Sequence, residues 1–209
     1  MDTTSEDYLL QHIEPEDPVL YGLYRETHLN VVNARQMAGH LQGTILSMLS
    51  KMIQPTCILE IGTFTGYAAI CLARGLREGG KLYTIEANDE LRDITTRYFE
   101  KSGLVQKIEL INGNALEIVP TLQHSFDIVF IDAEKNDYLH YYELVFDKVK
   151  NGGYIFADNV LWDGKVFDPT SNDRTTQSLR EFNKKVNDDP RVEVVILPVR
   201  DGLTVIRKR

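Results

Sequence analysis

Cys57-Ile58-Leu59-Glu60-Ile61-Gly62-Thr63-Phe64-Thr65-Gly66 decides how the rest of the chain is read. A short apolar run ends in a turn holding two glycines, and an amphipathic segment follows at once. A buried parallel strand hands over to a helix in this way. Glycine in such a turn lets the backbone pass close to a ligand where a Cβ would not fit.

Downstream, the same unit recurs. Strands are expected at 81–86, 107–112, 126–131 and 154–157, with helices at 66–77, 88–102, 114–122, 137–149 and 176–187 between and after them. Asn88 is placed to cap its helix. Gly79-Gly80 and Gly152-Gly153 read as turns. Runs at 191–197 and 203–207 are joined by a link too short for a helical crossover, so they are expected to be antiparallel neighbours. Upstream, Leu41, Ile45, Met48, Leu49 and Met52 recur at helical spacing, which predicts a helix over 35–53 stopped by Pro55. Residues 19–28 read as a short helix. Residues 1–20 are polar, carry Pro15 and Pro18, and read as a mobile arm. The whole is an α/β chain, a doubly wound, mostly parallel sheet with helices on both faces. No repeat or linker divides it, so residues 1–209 are expected to form one domain, with 1–34 as its N-terminal arm.

Asp and Glu number 31 against 23 Lys and Arg, giving a formal charge of −8. That balance provides no global attraction for nucleic acid or anionic lipid. The two cysteines, Cys57 and Cys71, lack metal-site or CxxC spacing and read as free thiols of a reducing compartment. With no leader and no apolar run of membrane length, a cytoplasmic protein is expected.

In open α/β sheets, ligands bind beyond the carboxyl ends of the strands. The residues expected there are Glu60, Gly62 and Gly66; Glu86; Gly113, Asn114 and Ala115; Asp132 and Lys135; and Asp158 with Asn159. Glu86 stands where an acid accepts hydrogen bonds from ribose hydroxyls. The glycine turn is not G-x-G-x-x-G and lacks the glycine that admits a pyrophosphate, so a nucleoside such as S-adenosylmethionine fits better than NAD. Asp132, Asp158 and Asn159 offer hard oxygen ligands that suit Mg²⁺, Ca²⁺ or Mn²⁺, although one Asp capping a helix and an Asp-Asn turn would give the same sequence. Lys135 reads either as a general base near that site or as a surface lysine paired with Glu134 or Asp137.

Three segments carry a resemblance: Leu59 to Tyr67; Phe130-Ile131-Asp132-Ala133-Glu134-Lys135; and Gly152 to Trp162. The chain resembles the cation-dependent O-methyltransferases, the group of catechol and caffeoyl-CoA O-methyltransferases, and especially their small bacterial members. The resemblance runs from about Arg35 to the C-terminus and implies a Rossmann-like, seven-stranded methyltransferase fold with an antiparallel last strand. It implies that Glu60, Gly62 and Gly66 line the methionine end of S-adenosylmethionine, with Thr63, Phe64, Tyr67, Ala68 and Asp132 also at the cofactor. Glu86 would hold the ribose, and Gly113, Asn114 and Ala115 would face the adenine. Asp132, Asp158 and Asn159 would bind the divalent cation and Lys135 would be the catalytic base. Trp162 and Ala38 would flank the substrate, Ala38 within the segment 35–43 that resembles the family's helix start over the cofactor. A homodimer is also implied.

Two positions depart from the pattern. Ala68 stands where many members have Ser, and Asn114 where many related methyltransferases have Asp. The expected reaction is methyl transfer to a hydroxyl beside a second oxygen on a small hydroxylated aromatic such as a catechol. Rival readings are methylation of a hydroxylated tRNA base, with Arg25, Arg35, Lys165 and Arg174 as a basic cluster, and a non-catalytic nucleoside-binding module.

Overall fold

A computed structural model describes residues 5–209. In chain order the elements are α1 (Ser5–Leu10), α2 (Pro18–Asn30), α3 (Gly39–Ile53), β1 (Cys57–Ile61), α4 (Tyr67–Ala73), β2 (Lys81–Glu86), α5 (Arg92–Lys101), β3 (Ile108–Asn112), α6 (Ala115–Ile118), β4 (Phe126–Ile131), α7 (Tyr138–Phe146), β5 (Val149–Asp158), α8 (Arg174–Asp188), β6 (Val192–Leu197) and β7 (Leu203–Lys208). The strands form one sheet in the order β3-β2-β1-β4-β5-β7-β6. Only β7 runs against its neighbours, pairing antiparallel with both β5 and β6. This is the Rossmann-like arrangement expected from alternating strands and helices. Its order reverses between β1 and β4, where the ligand crevice of such sheets opens.

The core lies on both faces of the sheet. One cluster joins Leu46, Tyr67, Ile70 and Phe99 to Ile58, Ile128 and Phe156. The other joins Tyr138, Tyr142, Leu179 and Phe182 to Leu59, Val129 and Ile131. No helix among the described residues is long and apolar enough to cross a membrane.

Several local expectations are corrected. Residues 35–53 are not one helix: a 3-10 turn, Ala34–Gln36, precedes α3, which begins at Gly39. The buried face of α3 is Gln42, Gly43, Leu46, Ser47 and Ser50, whereas Met48 and Met52 are exposed. The reason is close helix contact. A Cβ on Gly43 would stand 2.5 Å from the Tyr67 ring, and Ser50 Oγ donates to Leu72 O at 2.6 Å. The helix after the glycine turn stops at Ala73, because Gly75 packs backbone to backbone on Ser50. Residues 88–102 are a 3-10 turn, Asp89–Leu91, followed by α5, and α7 ends at Phe146.

Gly152-Gly153 lies inside β5 rather than before it. Phe126 pairs with Val149 but Ile128 with Tyr154, so the intervening residues loop out as a bulge, with Gly152 at φ 77°. The arm is also tied down along residues 14–17, while its residues 1–4 lie outside the described residues. Tyr67 Oη donates to Glu16 Oε1 at 2.5 Å, His40 Nε2 meets Glu14 O at 2.9 Å, and Asp17 pairs with Arg74 at 3.0 Å. Asp17 also caps α2, whose first residue is Pro18, a residue suited to a helix start because its missing N–H has no partner to lose there.

Candidate active site

Register brings the predicted residues to one rim. Ile61 lies level with Ile85 and Ile131, and Ile131 with Ala157. The next residue of each strand therefore forms a row: Glu86, Gly62, Asp132 and Asp158. Asp132 N donates to Ile61 O at 2.9 Å, and Gly62 N to Ile85 O at 3.0 Å.

Below the row, Glu60 is wholly buried. Its Oε2 accepts from Thr84 Oγ1 at 2.5 Å, and Thr84 Oγ1 meets Thr63 Oγ1 at 2.5 Å. Its Oε1 is buried without a hydrogen-bond partner among the described residues. Burial pushes the Glu60 carboxyl well above the ordinary carboxylate range; Thr84 opposes this and the nearby acids Asp132 and Glu86 add to it. The unpartnered oxygen of this buried carboxyl has room for a hydrogen-bond donor.

Glu86 is held by the turn itself. Phe64 N donates to Oε2 at 2.7 Å and Asn88 N to Oε1 at 2.9 Å. Each carboxylate oxygen accepts more than one hydrogen bond, so both retain capacity for hydroxyls. The glycines have a different local reason from the one the sequence suggests. At φ 95°, a Cβ on Gly62 would stand 2.0 Å from Asp132 O, and at φ 92° a Cβ on Gly66 would stand 2.6 Å from the Phe99 ring. Close approach is required, but to the chain's own backbone and to α5. Ala68 is buried in the first turn of α4. Asn114 is exposed and caps α6, accepting from Leu116 N at 3.0 Å, with Gly113 and buried Ala115 on either side. Asn114 thus has the capping role that its residue type alone would suggest.

Around the other half of the rim, Lys135 is buried and donates to Asp132 Oδ1 at 2.8 Å and to Tyr138 Oη at 2.6 Å. Glu134 instead caps the following turn, accepting from Asn136 N. Tyr138, wholly buried, shares its hydroxyl proton between Asp158 O at 2.8 Å and Ile131 O at 3.2 Å. It thereby joins the ends of β4 and β5. Asp158 is 2% exposed, and its Oδ1 has no hydrogen-bond partner among the described residues. Burial, followed by the charge of Asp132, raises the Asp158 carboxyl to about 6; the Gln42 amide opposing it and the charges of Lys135 and Arg200 pull it down. Asn159 follows at φ 57°, a left-handed conformation that Asn tolerates better than most residues. No group of three or more His, Cys, Asp or Glu placed to hold a metal occurs among the described residues. The candidate set of two carboxylates and one amide is all hard oxygen. With the unpartnered Asp158 Oδ1, it fits a divalent cation.

The two predicted substrate-flanking residues are anchored from one turn. Ala38 is buried, and its carbonyl accepts from Arg200. Trp162, half-buried at φ 52°, lies in a loop held by Leu161 N to Asp201 O at 2.9 Å and Asp163 N to Asp201 Oδ1 at 2.7 Å. Sequence reasoning missed Thr84, Tyr138, Gln42, Arg200 and Asp201 as members of this site. Tyr138 was readable only as part of an apolar helix face, and Gln42 only as part of the quoted 35–43 segment. Arg200 carries no local signal at all.

Comparison with known proteins gives the family. A family model described as O-methyltransferase matches residues 11–209. The chain belongs to the O-methyltransferase family. Among curated relatives it is 38% identical over 179 residues to caffeoyl-CoA O-methyltransferase 2 of Petunia hybrida, covering 80% of this chain and 74% of that protein. Among solved structures it is similar to the O-methyltransferase from Bacillus cereus in complex with SAH, with a TM-score of 0.91, 31% identity and coverage of 99% and 98% of the two chains. It is also similar to the O-methyltransferase TomG from Streptomyces achromogenes, involved in tomaymycin synthesis and solved in complex with SAM, with a TM-score of 0.91, 29% identity and coverage of 100% and 99%. This O-methyltransferase is accordingly an S-adenosylmethionine-dependent enzyme.

Proposed function

We propose that this O-methyltransferase moves the methyl group of S-adenosylmethionine to a hydroxyl of a small catechol-like acceptor, with a divalent cation bound by Asp132, Asp158 and Asn159. The observation that carries this reading is the buried, unpartnered Asp158 Oδ1 on the same rim as the Asp132–Lys135 pair. A bound cation supplies Lewis acidity toward two neighbouring oxygens and lowers the pKa of the hydroxyl. The caffeoyl group named in the plant relatives supports an acceptor of this vicinal-oxygen class.

The roles of the chain's own residues follow from their places. Glu60 meets the ammonium of the methionine end, beside Gly62, Thr63, Phe64, Gly66, Tyr67 and Ala68. Glu86 holds the ribose hydroxyls, and Gly113, Asn114 and Ala115 border the adenine. Lys135 takes the acceptor's proton at Nζ. In the free protein that nitrogen donates to Asp132 Oδ1. Trp162 and Ala38 confine the acceptor so that its oxygen meets the methyl in line, and this positioning contributes much of the rate.

We further propose that residues 1–209 act as one methyltransferase domain with 1–34 as its arm, in the cytoplasm, as a homodimer. The resemblance to the cation-dependent O-methyltransferases, whose members are commonly dimers, is what supports the dimer. Light scattering after size exclusion tests it, and a mass near 23.9 kDa would exclude it.

The deciding experiment is transfer of labelled methyl to a panel of catechols with Mg²⁺ and with EDTA. Transfer that EDTA abolishes is the expected result. Transfer that EDTA leaves untouched overturns the cation, and no transfer to any catechol overturns the acceptor class.

A further inference from the structure

The turn 198–202 between β6 and β7 has a role that neither its length nor its composition announces. Arg200 occupies it at φ 48°, a left-handed conformation unfavourable to a residue with a side chain. Its guanidinium provides the compensating contacts. Nη1 donates to Met37 O at 2.9 Å, to Ala38 O, and to Gln42 Oε1 at 2.7 Å, and Nη2 reaches Arg35 O at 3.5 Å. Met37, Ala38 and Gln42 are all buried while Arg200 is itself exposed, so these charge-assisted bonds are partly screened from solvent at their acceptor ends. The same turn holds the opposite lip of the site through Asp201 to Leu161 and Asp163, and through Gly202 O to Val160 N at 3.2 Å.

We propose that Arg200 is a positioning residue: by clamping residues 35–42 to the turn that also holds 160–163, it sets the width of the acceptor pocket and fixes the orientation of the Gln42 amide. The amide argument is one of donor and acceptor. Arg200 has only hydrogens to give, so Gln42 must present its oxygen to Arg200. Its Nε2 is then the end that remains, and that atom is buried without a partner, like Asp158 Oδ1. Three of these bonds leave from Nη1, so the clamp depends chiefly on how far the side chain carries that one nitrogen, and Nη2 adds the longer contact to Arg35 O. Arg200 touches no reacting atom and acts through the cover and through Gln42.

The kinetic part of this inference rests on the methyl-transfer reading above; the structural part does not. Arg200→Gly is the informative variant, because glycine suits φ 48° and the fold is kept while the clamp is lost. Hydrogen exchange of the free full chain is expected to accelerate at 35–44 and to stay unchanged in β1 and β4. In turnover, the KM for the acceptor is expected to rise about 10-fold or more with a smaller fall in kcat, as a widened pocket requires. Arg200→Lys keeps the charge but shortens its reach and is expected to fall between wild type and Arg200→Gly. Gln42→Met, which keeps volume and removes the amide, is expected to raise the KM in the same direction and serves if Arg200→Gly fails to fold. Wild-type exchange at 35–44 in Arg200→Gly, or an unchanged KM in all three variants, overturns the proposal. Absence of methyl transfer by the wild type removes the functional reading and leaves the exchange result to decide the clamp.

Discussion

Glu60→Gln removes a charge while keeping the side chain's shape. In the free protein the acid is wholly buried, bonded through Oε2 to Thr84 and unpartnered at Oε1, and burial holds its carboxyl well above the usual range. In the proposed placement opposite the ammonium of the methionine end, the ionised form is favoured instead, and cofactor binding is expected to draw a proton from Glu60. A hydrogen bond to a charged partner contributes about 1.5–3 kcal/mol and a neutral one about 0.5–1.5 kcal/mol. The variant therefore loses about 1–2 kcal/mol, or roughly 5- to 30-fold in Kd. Calorimetry with SAH in buffers of different ionisation heat reads both quantities. The wild type should release protons on binding and Glu60→Gln fewer. The stability of the free protein carries the same sign. A folded pKa above the unfolded one means that stability is full below the unfolded value, about 4.3 for Glu, and is lost as pH rises through the folded value. Glu60→Gln should flatten that loss, leaving the part due to Asp158, whose window lies between its ordinary value of 3.8 and about 6. An SAH affinity within about twofold of wild type, with the same proton count, would refute the placement of Glu60 against the ammonium.

Other outcomes follow from single residues. Asp158→Ala and Asp132→Ala should each abolish metal-stimulated turnover, and a wild-type rate for Asp158→Ala with Mg²⁺ would remove the cation site. Gly62→Ala forces a Cβ to 2.0 Å from Asp132 O at φ 95°. It should cost at least about 2 kcal/mol, lowering Tm by about 4–8 °C by calorimetry. Burial raises the thiols of Cys57 and Cys71 to about 11 and about 12, so alkylation of the native protein at pH 8 should be far slower than that of the unfolded chain. The Arg191 guanidinium, with Tyr142, holds Asp189 far below the usual range, which stabilises the fold above about pH 4 and is lost as pH falls. Arg191→Ala should shift the acid-unfolding midpoint upward in a fluorescence titration.

How much of this was legible in the sequence depends on how far each residue's partners lie along the chain. β1, β2 and β4 have the bounds their apolar runs indicate, because a strand buried on both faces is specified by its own residues. The acids at the strand ends were legible for the same reason, since parallel strands of known bounds place their final residues on one rim. α3 was misread in its buried face, because Gly43, Ser47 and Ser50 face α4 where space is short, and small residues do not register as core. Gly62 shows the subtler failure. Its position in the turn was readable, but the sequence could not distinguish a ligand's approach from that of Asp132, which lies on a strand end brought alongside only by the sheet. Arg200 marks the limit. It bonds to Met37 and Gln42 across about 160 residues, and nothing within a helical turn of it hints at either partner. A strained arginine in a short turn looks like surface until the sheet brings β7 beside β5. The part of the site that chemistry requires was therefore legible from strand ends. The part that fixes the pocket's width depends on long-range contacts, and there variants at 200 and 42 are more informative than further reading of the motifs.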